Sequence, residues 1–304
     1  MENGNLPLIP AKNILSAYAE TDGSLWFGYN YNMNLYKGCC HGCIYCDSRS
    51  DCYHVEHFDT VRAKANAIAI LAANLACKRR SGVIGTGAMS DPYNPFEASH
   101  RLTRQALQCI NQYRFGIGIC TKSPLITRDI DLLQQISQHS PVLCKLTVTA
   151  AEDALSLQVE PHVAASSARF AAIKQLTDAG LFSGILMMPI LPFLEDTAEN
   201  VLGIVHRAAD CGAKFIYPGF GVTLRSNQRE YYYRQLDDRF PGLSRRYQSL
   251  YGDRYRCDSP KARLLFALFA KECDRLGILY QMPQIIAAYR QNDQQKQPNL
   301  FDFE

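Results

Sequence analysis

The sequence predicts an α/β protein whose strands run parallel. Six short apolar or β-branched runs recur along the chain, and helical stretches with an apolar stripe separate them. Such an alternation is typical of βα units, in which a helix crosses over to the next parallel strand. Propensity alone leaves open whether the strands curve toward a barrel or form an open sheet. With 304 residues, the chain can bury a substantial core.

The predicted elements follow one another in order. The strands are expected at residues 31–37, 82–87, 115–121, 142–149, 183–188 and 214–217. Helical periodicity is expected at residues 60–78, 102–113, 201–208 and 261–276. Asp196 followed by Glu199 is typical of a helix start. Gly180 and Gly212 fall where a left-handed residue would end a helix before the next strand.

Composition narrows the class of protein. Apolar residues make up 47% of the chain and charged residues 20%, which is ordinary for a globular protein in water. The net charge of +3 is too small to require a polyanionic partner. No run of 18 apolar residues occurs and the first 30 residues show no export signal, so we expect no membrane association. The twelve cysteines then indicate a reducing, cytoplasmic location rather than a disulfide framework.

A cluster of cysteines follows the first predicted strand. Cys39, Cys43 and Cys46 have the spacing C-x3-C-x2-C. Closely spaced thiolates select iron–sulfur clusters, zinc or copper(I). A structural zinc ion takes four protein ligands and so does a ferredoxin-type cluster, whereas three thiolates leave one iron of a four-iron cluster free. The alternative is a zinc site whose fourth ligand comes from nearby residues, namely Cys40, His41, Cys52, His54 or His57.

The spacing, with Tyr45 directly before the last cysteine, resembles that of the radical S-adenosylmethionine (SAM) enzymes. The resemblance implies a [4Fe-4S] cluster on Cys39, Cys43 and Cys46, with SAM bound to the free iron. It implies reductive cleavage of SAM to a 5′-deoxyadenosyl radical, with an electron donor of the flavodoxin or ferredoxin type. It also implies a partial (β/α)6 TIM-like barrel with a helical C-terminal extension and chemistry at the C-terminal ends of the strands.

Polar motifs follow the predicted strands in a fixed order. They are the segment 85–97, Thr121–Pro124 with Arg128 and Asp129, Thr147–Thr149 with Glu160 and Arg169 downstream, and Met188–Pro192. Together with His41–Cys46, this series resembles the spore photoproduct lyase-like (DNA repair photolyase-like) branch of the radical SAM enzymes, over about residues 31–221. The resemblance implies a lyase-like enzyme acting on a nucleic acid or nucleotide-like substrate.

Chemistry suggests which residues would hold SAM. Lys122, helped by Thr147, is expected to bind its carboxylate. Ser90 and Asp91 are expected to accept from its amino group, and Tyr45 to form a wall for its adenine. The alternatives are that the Ser-Asp-Pro sequence forms a turn and that Lys122 is a solvated lysine.

Two positions depart from that branch. Spore photoproduct lyase has a hydrogen-donating cysteine where this chain has Ala88, and a tyrosine after the last cluster cysteine where this chain has Asp47. The resemblance therefore extends to the scaffold more than to the reaction. Cys40, Cys120 and Tyr93 are candidate radical relays, but packing or no role is the preferred interpretation, so no catalytic residue is assigned.

The predicted organisation is a lead-in at residues 1–30, a radical SAM core at 31–223, a helical extension at 224–291 and a flexible tail at 292–304. Residues 225–263 hold ten Lys or Arg against five Asp or Glu, interleaved with tyrosines. This pattern fits a nucleic-acid groove or, preferably, a cap whose tyrosines face inward. In the tail, Gln297–Phe301 has the form Q-x-x-L-F and resembles peptides that bind the bacterial sliding clamp.

Overall fold

A computed structural model describes residues 6–18 and 26–294, with side chains up to residue 291. The Gln297–Phe301 peptide, with most of the predicted tail, lies outside the described residues. Within the described chain, no helix is long and apolar enough to cross a membrane.

The structure has a strand at each of the six predicted places. The strands are β1 Leu8–Ile9, β2 Leu15–Ala17, β3 Tyr31–Met33, β4 Tyr36–Lys37, β5 Arg62–Lys64, β6 Val83–Thr86, β7 Gly116–Thr121, β8 Val142–Thr147, β9 Ser183–Met187, β10 Phe215–Pro218, β11 Gly221–Thr223 and β12 Arg256–Asp258. The one predicted at residues 31–37 is divided into β3 and β4. Five further short strands, β1, β2, β5, β11 and β12, were not predicted.

Seven of these strands form the main sheet, in the order β10-β9-β8-β7-β6-β3-β2. Six of them are parallel and neighbour one another in sequence order, namely β3, β6, β7, β8, β9 and β10. The seventh, β2, pairs antiparallel with β3 at the edge. The sheet stays open in the described chain. The predicted partial barrel of six βα units is confirmed. Smaller sheets join β1, β5 and β4, and β11 with β12.

Helices connect the strands and continue beyond the sheet. They are α1 Ala67–Ala76, α2 Glu97–His100, α3 Leu102–Gln112, α4 Ile130–Ser137, α5 Asp153–Val159, α6 Ser166–Asp178, α7 Ala198–Asp210, α8 Ser226–Arg239, α9 Leu243–Tyr251, α10 Ala262–Leu276 and α11 Met282–Gln294.

Two predicted boundaries were wrong. The helix expected at residues 60–78 begins only at Ala67, because β5 pairs with β1 and β4 before the chain turns at Asn66. The helix start expected at Asp196 lies at Thr197, whose side chain accepts from the Asn200 N–H at 3.1 Å. The Asp196 carboxylate instead accepts from the Phe193 N–H and the Ser259 hydroxyl.

The helical extension forms a cap with its tyrosines turned inward. Tyr232 and Tyr247 are fully buried, and Tyr251 is nearly so. The Tyr247 hydroxyl donates to the Pro192 carbonyl at 2.9 Å, which ties the cap to the loop after β9. The cap interpretation is therefore confirmed for these three tyrosines.

An aromatic plug fills the inside of the curved sheet. The ring of Tyr29 lies so close to Gly85 on β6 and Gly118 on β7 that a Cβ atom at either glycine would come within 2.3 Å of it. Phe27 is fully buried beside it, and the Tyr289 hydroxyl of α11 donates to the Phe27 carbonyl at 2.6 Å. Two cavities lie on either side of this plug, one at the C-terminal ends of the strands and one at their N-terminal ends.

Candidate metal centre and cofactor cavity

The cysteine loop follows β4 and is anchored at several points. The Cys39 N–H donates to the Phe58 carbonyl at 2.8 Å, and the N–H of the fully buried Ile44 donates to the Val159 carbonyl at 3.0 Å. Gly38 opens the loop with a φ of +82°, and a Cβ there would lie 2.3 Å from the Thr60 carbonyl oxygen. A side chain at this position would displace the loop, so the cysteines depend on this glycine for their placement.

Three of the four thiols in the loop share one environment. Burial, and then the neighbouring Cys46, raise the pKa of Cys39 to about 12. Burial also raises the pKa of Cys43, and the neighbouring thiols of Cys46 and Cys39 raise it further. Cys43 belongs to the hydrophobic cluster that includes Tyr45 and Cys46 packs against it, whereas Cys40 packs against the main core. The structure thus brings the three predicted ligands together and keeps Cys40 apart.

The donor set of the loop fits a metal group that takes soft ligands. Cys39, Cys43 and Cys46 supply three thiols, and thiolates select iron–sulfur clusters, zinc or copper(I). In the described part of the chain, no group of three or more His, Cys, Asp or Glu side chains is placed to hold one metal ion. Buried thiols that oppose one another's ionisation need a positively charged group to stabilise their thiolates, and a [4Fe-4S] cluster would provide one.

A buried ion pair contacts the cysteine loop through Tyr45. Arg169 Nη2 lies 2.5 Å from Glu160 Oε2, and both side chains are almost completely buried. The Tyr45 hydroxyl donates to the same carboxylate. Burial opposes the charge on Glu160, but Arg169 and Lys122 outweigh it and lower its pKa. Sequence analysis gave Glu160 and Arg169 no role, although it had placed them after the fourth strand.

Lys122 lies at the end of β7 with 19% of its side chain exposed. Its Nζ is 3.9 Å from Glu160 Oε1 and 5.7 Å from the centre of the Tyr45 ring. Burial opposes its charge, yet Cys43 and Glu160 raise its pKa. The solvated-lysine alternative is therefore wrong, because Lys122 is a largely buried cation beside the cysteine loop.

A cavity of about 420 Å³ opens at the C-terminal ends of the strands. Tyr45 and Cys46 of the cysteine loop line it, together with Lys122 and Thr147. Its volume lies in the range of about 300–1,000 Å³ that is usual for ligand sites. Four residues assigned to the cluster or SAM thus meet in one cavity. Ala88 and Asp47, the two departures from the related branch, also line it.

Ser90 and Asp91 are not among the residues that line this cavity. The Ser90 hydroxyl donates to the Gly38 carbonyl at 2.6 Å. The Asp91 carboxylate accepts from the Thr121 hydroxyl at 2.6 Å and from the Lys122 N–H at 2.8 Å. Both residues therefore hold the cysteine loop and the end of β7 in place. Their contact with the SAM amino group stays a prediction.

Lys145 is a functional candidate that the sequence analysis missed. It lies in β8, is 1% exposed and lines the cavity. Its Nζ donates to the Tyr29 hydroxyl and lies 4.3 Å from the centre of the Phe27 ring. Burial lowers its pKa to about 8, and it forms no ion pair within the described chain. A lysine within an otherwise apolar strand was the available signal.

Comparison with known proteins supports the fold. The sequence matches no family model. It is 29% identical over 232 residues to an uncharacterized protein of Mycobacterium tuberculosis, covering 73% of this chain and 67% of that protein. It is 31% identical over 180 residues to an uncharacterized protein of Methanocaldococcus jannaschii, covering 58% of this chain and 66% of that protein.

A solved structure extends the likeness to most of the chain. Spore photoproduct lyase, in a variant with bound AdoMet and dinucleoside spore photoproduct, superimposes with a TM-score of 0.62 at 15% identity. The match covers 83% of this chain and 77% of that chain. The chain therefore has a radical SAM fold of the spore photoproduct lyase type.

Proposed function

We propose that this protein is a radical SAM enzyme that acts on a nucleic acid or nucleotide-like substrate. The observation that carries the proposal is the meeting of Cys46, Tyr45, Lys122 and Thr147 in one cavity at the C-terminal ends of parallel strands. Cys39, Cys43 and Cys46 would hold a [4Fe-4S] cluster. When bound there, the cluster and SAM would supply the chemistry of a 5′-deoxyadenosyl radical, namely removal of a hydrogen atom from the substrate.

The chain's own residues would hold and orient SAM. The Lys122 ammonium would pair with the SAM carboxylate, since Glu160 already shares its charge with Arg169 and leaves Lys122 a looser contact of 3.9 Å. Thr147 adds a hydroxyl on the same side of the cavity, 3.9 Å from the Cys120 sulfur. Tyr45, held by Glu160, offers a fixed ring for the adenine.

Two observations support the proposed substrate class, namely the shared fold and the aromatic residues that line the cavity. Spore photoproduct lyase shares this fold and has been solved with a dinucleoside ligand. In this chain Tyr18, Trp26 and Tyr29 line the deep part of the cavity beside the Lys145 amine. Aromatic side chains can stack on a base, and an amine can donate to its carbonyl oxygens. This combination favours a nucleobase over an aliphatic substrate.

The test is anaerobic reconstitution of the intact chain with iron and sulfide. About four irons per chain, a brown colour and release of 5′-deoxyadenosine on reduction with SAM would support the proposal. Stoichiometric zinc without SAM binding would refute it. Transfer of deuterium between labelled SAM and candidate nucleic acids or nucleotides would then identify the substrate.

A further inference from the structure

A second cavity, of about 760 Å³, lies at the opposite end of the sheet, where the parallel strands begin. Its wall includes Val83 at the start of β6 and Gly116 at the start of β7. Four arginines line it, namely Arg79, Arg80, Arg114 and Arg290, and we call this cavity the arginine bowl. The aromatic plug separates it from the cavity beside the cysteine loop, so it belongs to a different site.

The arginine bowl is positively charged without compensation. No Asp or Glu lines it, and within the described chain none of its four guanidinium groups forms an ion pair. Arg79, Arg80 and Arg114 are exposed. Arg290 is half-buried, and its guanidinium donates to the Gly28 carbonyl, which fixes its position. By contrast, the fully buried Arg169 has a carboxylate partner, Glu160.

The backbone at Arg114 gives a second, independent observation. Arg114 follows α3 in a left-handed conformation, with a φ of +57°. Gly180 after α6 and Gly212 after α7 take the same place, with φ values of +78° and +72°. In all three turns, the residue after the left-handed one donates its N–H back to the last turn of the helix. Glycine adopts this conformation without strain, whereas arginine does not.

Arg114 thus takes the position that glycine takes in the two equivalent turns of the same protein. Residues with a strained backbone of this kind cluster at functional sites such as ligand clamps. Here the strained residue contributes its cation to the arginine bowl. Guanidinium groups bind phosphate oxygens through paired hydrogen bonds, and several of them around one concave site suit a ligand with several phosphates.

We propose that the arginine bowl binds a small polyphosphate anion such as pyrophosphate or the phosphate end of a nucleoside triphosphate. The volume of about 760 Å³ suits a small ligand, because a nucleic-acid backbone would need a longer basic track. This site is independent of the cluster and of the proposed reaction. Its test therefore needs no reconstituted cofactor.

The experiment is isothermal titration of the intact chain with pyrophosphate. We expect binding that Arg79→Gln/Arg114→Gln weakens by about tenfold or more, because two charge-assisted contacts are lost. The matched control is Arg245→Gln/Arg254→Gln, which removes the same charge from exposed positions in the helical extension. Absence of pyrophosphate binding, or equal weakening by the control, would overturn the proposal. So would binding of a single-stranded oligonucleotide without binding of pyrophosphate.

Substitutions at Arg114 separate function from strain. Arg114→Gly should weaken pyrophosphate binding and raise the Tm by about 1–2 °C, because the left-handed turn loses its strain. Arg114→Ala should weaken binding equally without that rise, since alanine keeps the Cβ atom. Unchanged pyrophosphate affinity in both variants would overturn the proposal.

Discussion

The two ends of the sheet hold cations in opposite ways. At the C-terminal end, Lys122 and Lys145 are buried, the first beside Glu160 and the second over aromatic rings. At the N-terminal end, Arg79 and Arg114 are exposed and form no ion pair within the described residues. The same βα architecture thus carries a cavity with buried cations at one end and a cavity with mostly exposed cations at the other.

This difference has a physical consequence. Buried charges, such as those of Lys122 and Lys145, interact strongly with their neighbours, because little water screens them. The exposed charges of the arginine bowl are screened by water and salt over roughly 10 Å at 0.1 M ionic strength. We infer that the cavity beside the cysteine loop suits orientation of reacting groups, whereas the arginine bowl suits reversible, salt-sensitive binding.

The largest expected effect concerns the cysteine loop. Replacing Cys39, Cys43 or Cys46 singly by Ala should remove the visible absorbance of the reconstituted cluster, because each change removes one iron–thiolate bond. Cys40→Ala is the matched control and should retain most of the absorbance, since Cys40 packs against the main core. Loss of absorbance in Cys40→Ala with retention in Cys39→Ala would contradict the assignment.

The next effect compares arginines from the two regions. Arg169→Met should lower the free energy of unfolding by about 3–5 kcal/mol, because it leaves Glu160 buried without its closest cation. Arg79→Met in the arginine bowl should change it by no more than about 0.5 kcal/mol. Urea denaturation measures both. Similar losses in the two variants would mean that the regions do not differ as described.

A smaller effect concerns the buried amine of Lys145. Its pKa falls from 10.5 to about 8, so the folded state binds this proton less tightly than the unfolded state does. Stability should therefore be lowest below about pH 8 and rise between about pH 8 and 10.5, by about 3 kcal/mol in total. The titratable groups that face the amine are Tyr29, Cys120 and Cys144, and burial raises the pKa of Tyr29 and Cys144.

Lys145→Met should remove this dependence and stabilise the protein at pH 7. Lys271→Met, at an exposed position of α10, is the control and should leave the pH profile unchanged. Urea denaturation of both variants across this pH range provides the measurement. A wild-type profile that is flat from pH 8 to 10.5 would show that burial does not lower the pKa of this amine.

The smallest effect concerns the proposed SAM contact. Lys122→Ala should weaken SAM binding by about 1.5–3 kcal/mol, or roughly ten- to hundredfold, while the cluster absorbance persists. Equilibrium dialysis with labelled SAM would measure the change in affinity. An unchanged dissociation constant would assign Lys122 to support of Glu160 alone.

Local patterns predicted much of this structure. The six parallel strands, the left-handed ends at Gly180 and Gly212, and the inward tyrosines of the cap all follow from periodicity or backbone preference over short stretches. The cysteine spacing is likewise a local signal. The late start of the helix predicted at residues 60–78 was missed because β5, which precedes it, forms through partners distant in sequence.

The unpredicted parts of both sites depend on long-range contacts. Lys145 meets Tyr29 across 116 residues of sequence, and Tyr45 meets Glu160 across 115. In the arginine bowl, Arg79 lies in the loop after α1 and Arg290 lies in α11, and no sequence motif links the two. Periodicity can show that a residue is unusual for its element, as with a lysine in an apolar strand. The partner that it meets is determined by the fold.

The central claim is that three cysteines hold a cluster with one free iron facing the cavity. Electron paramagnetic resonance of the reduced, reconstituted protein tests it directly, with and without SAM. If SAM binds the free iron, its addition should change the shape of the cluster signal, and Lys122→Ala should require more SAM for the same change. A four-iron signal that SAM leaves unaltered at saturating concentration would contradict the account.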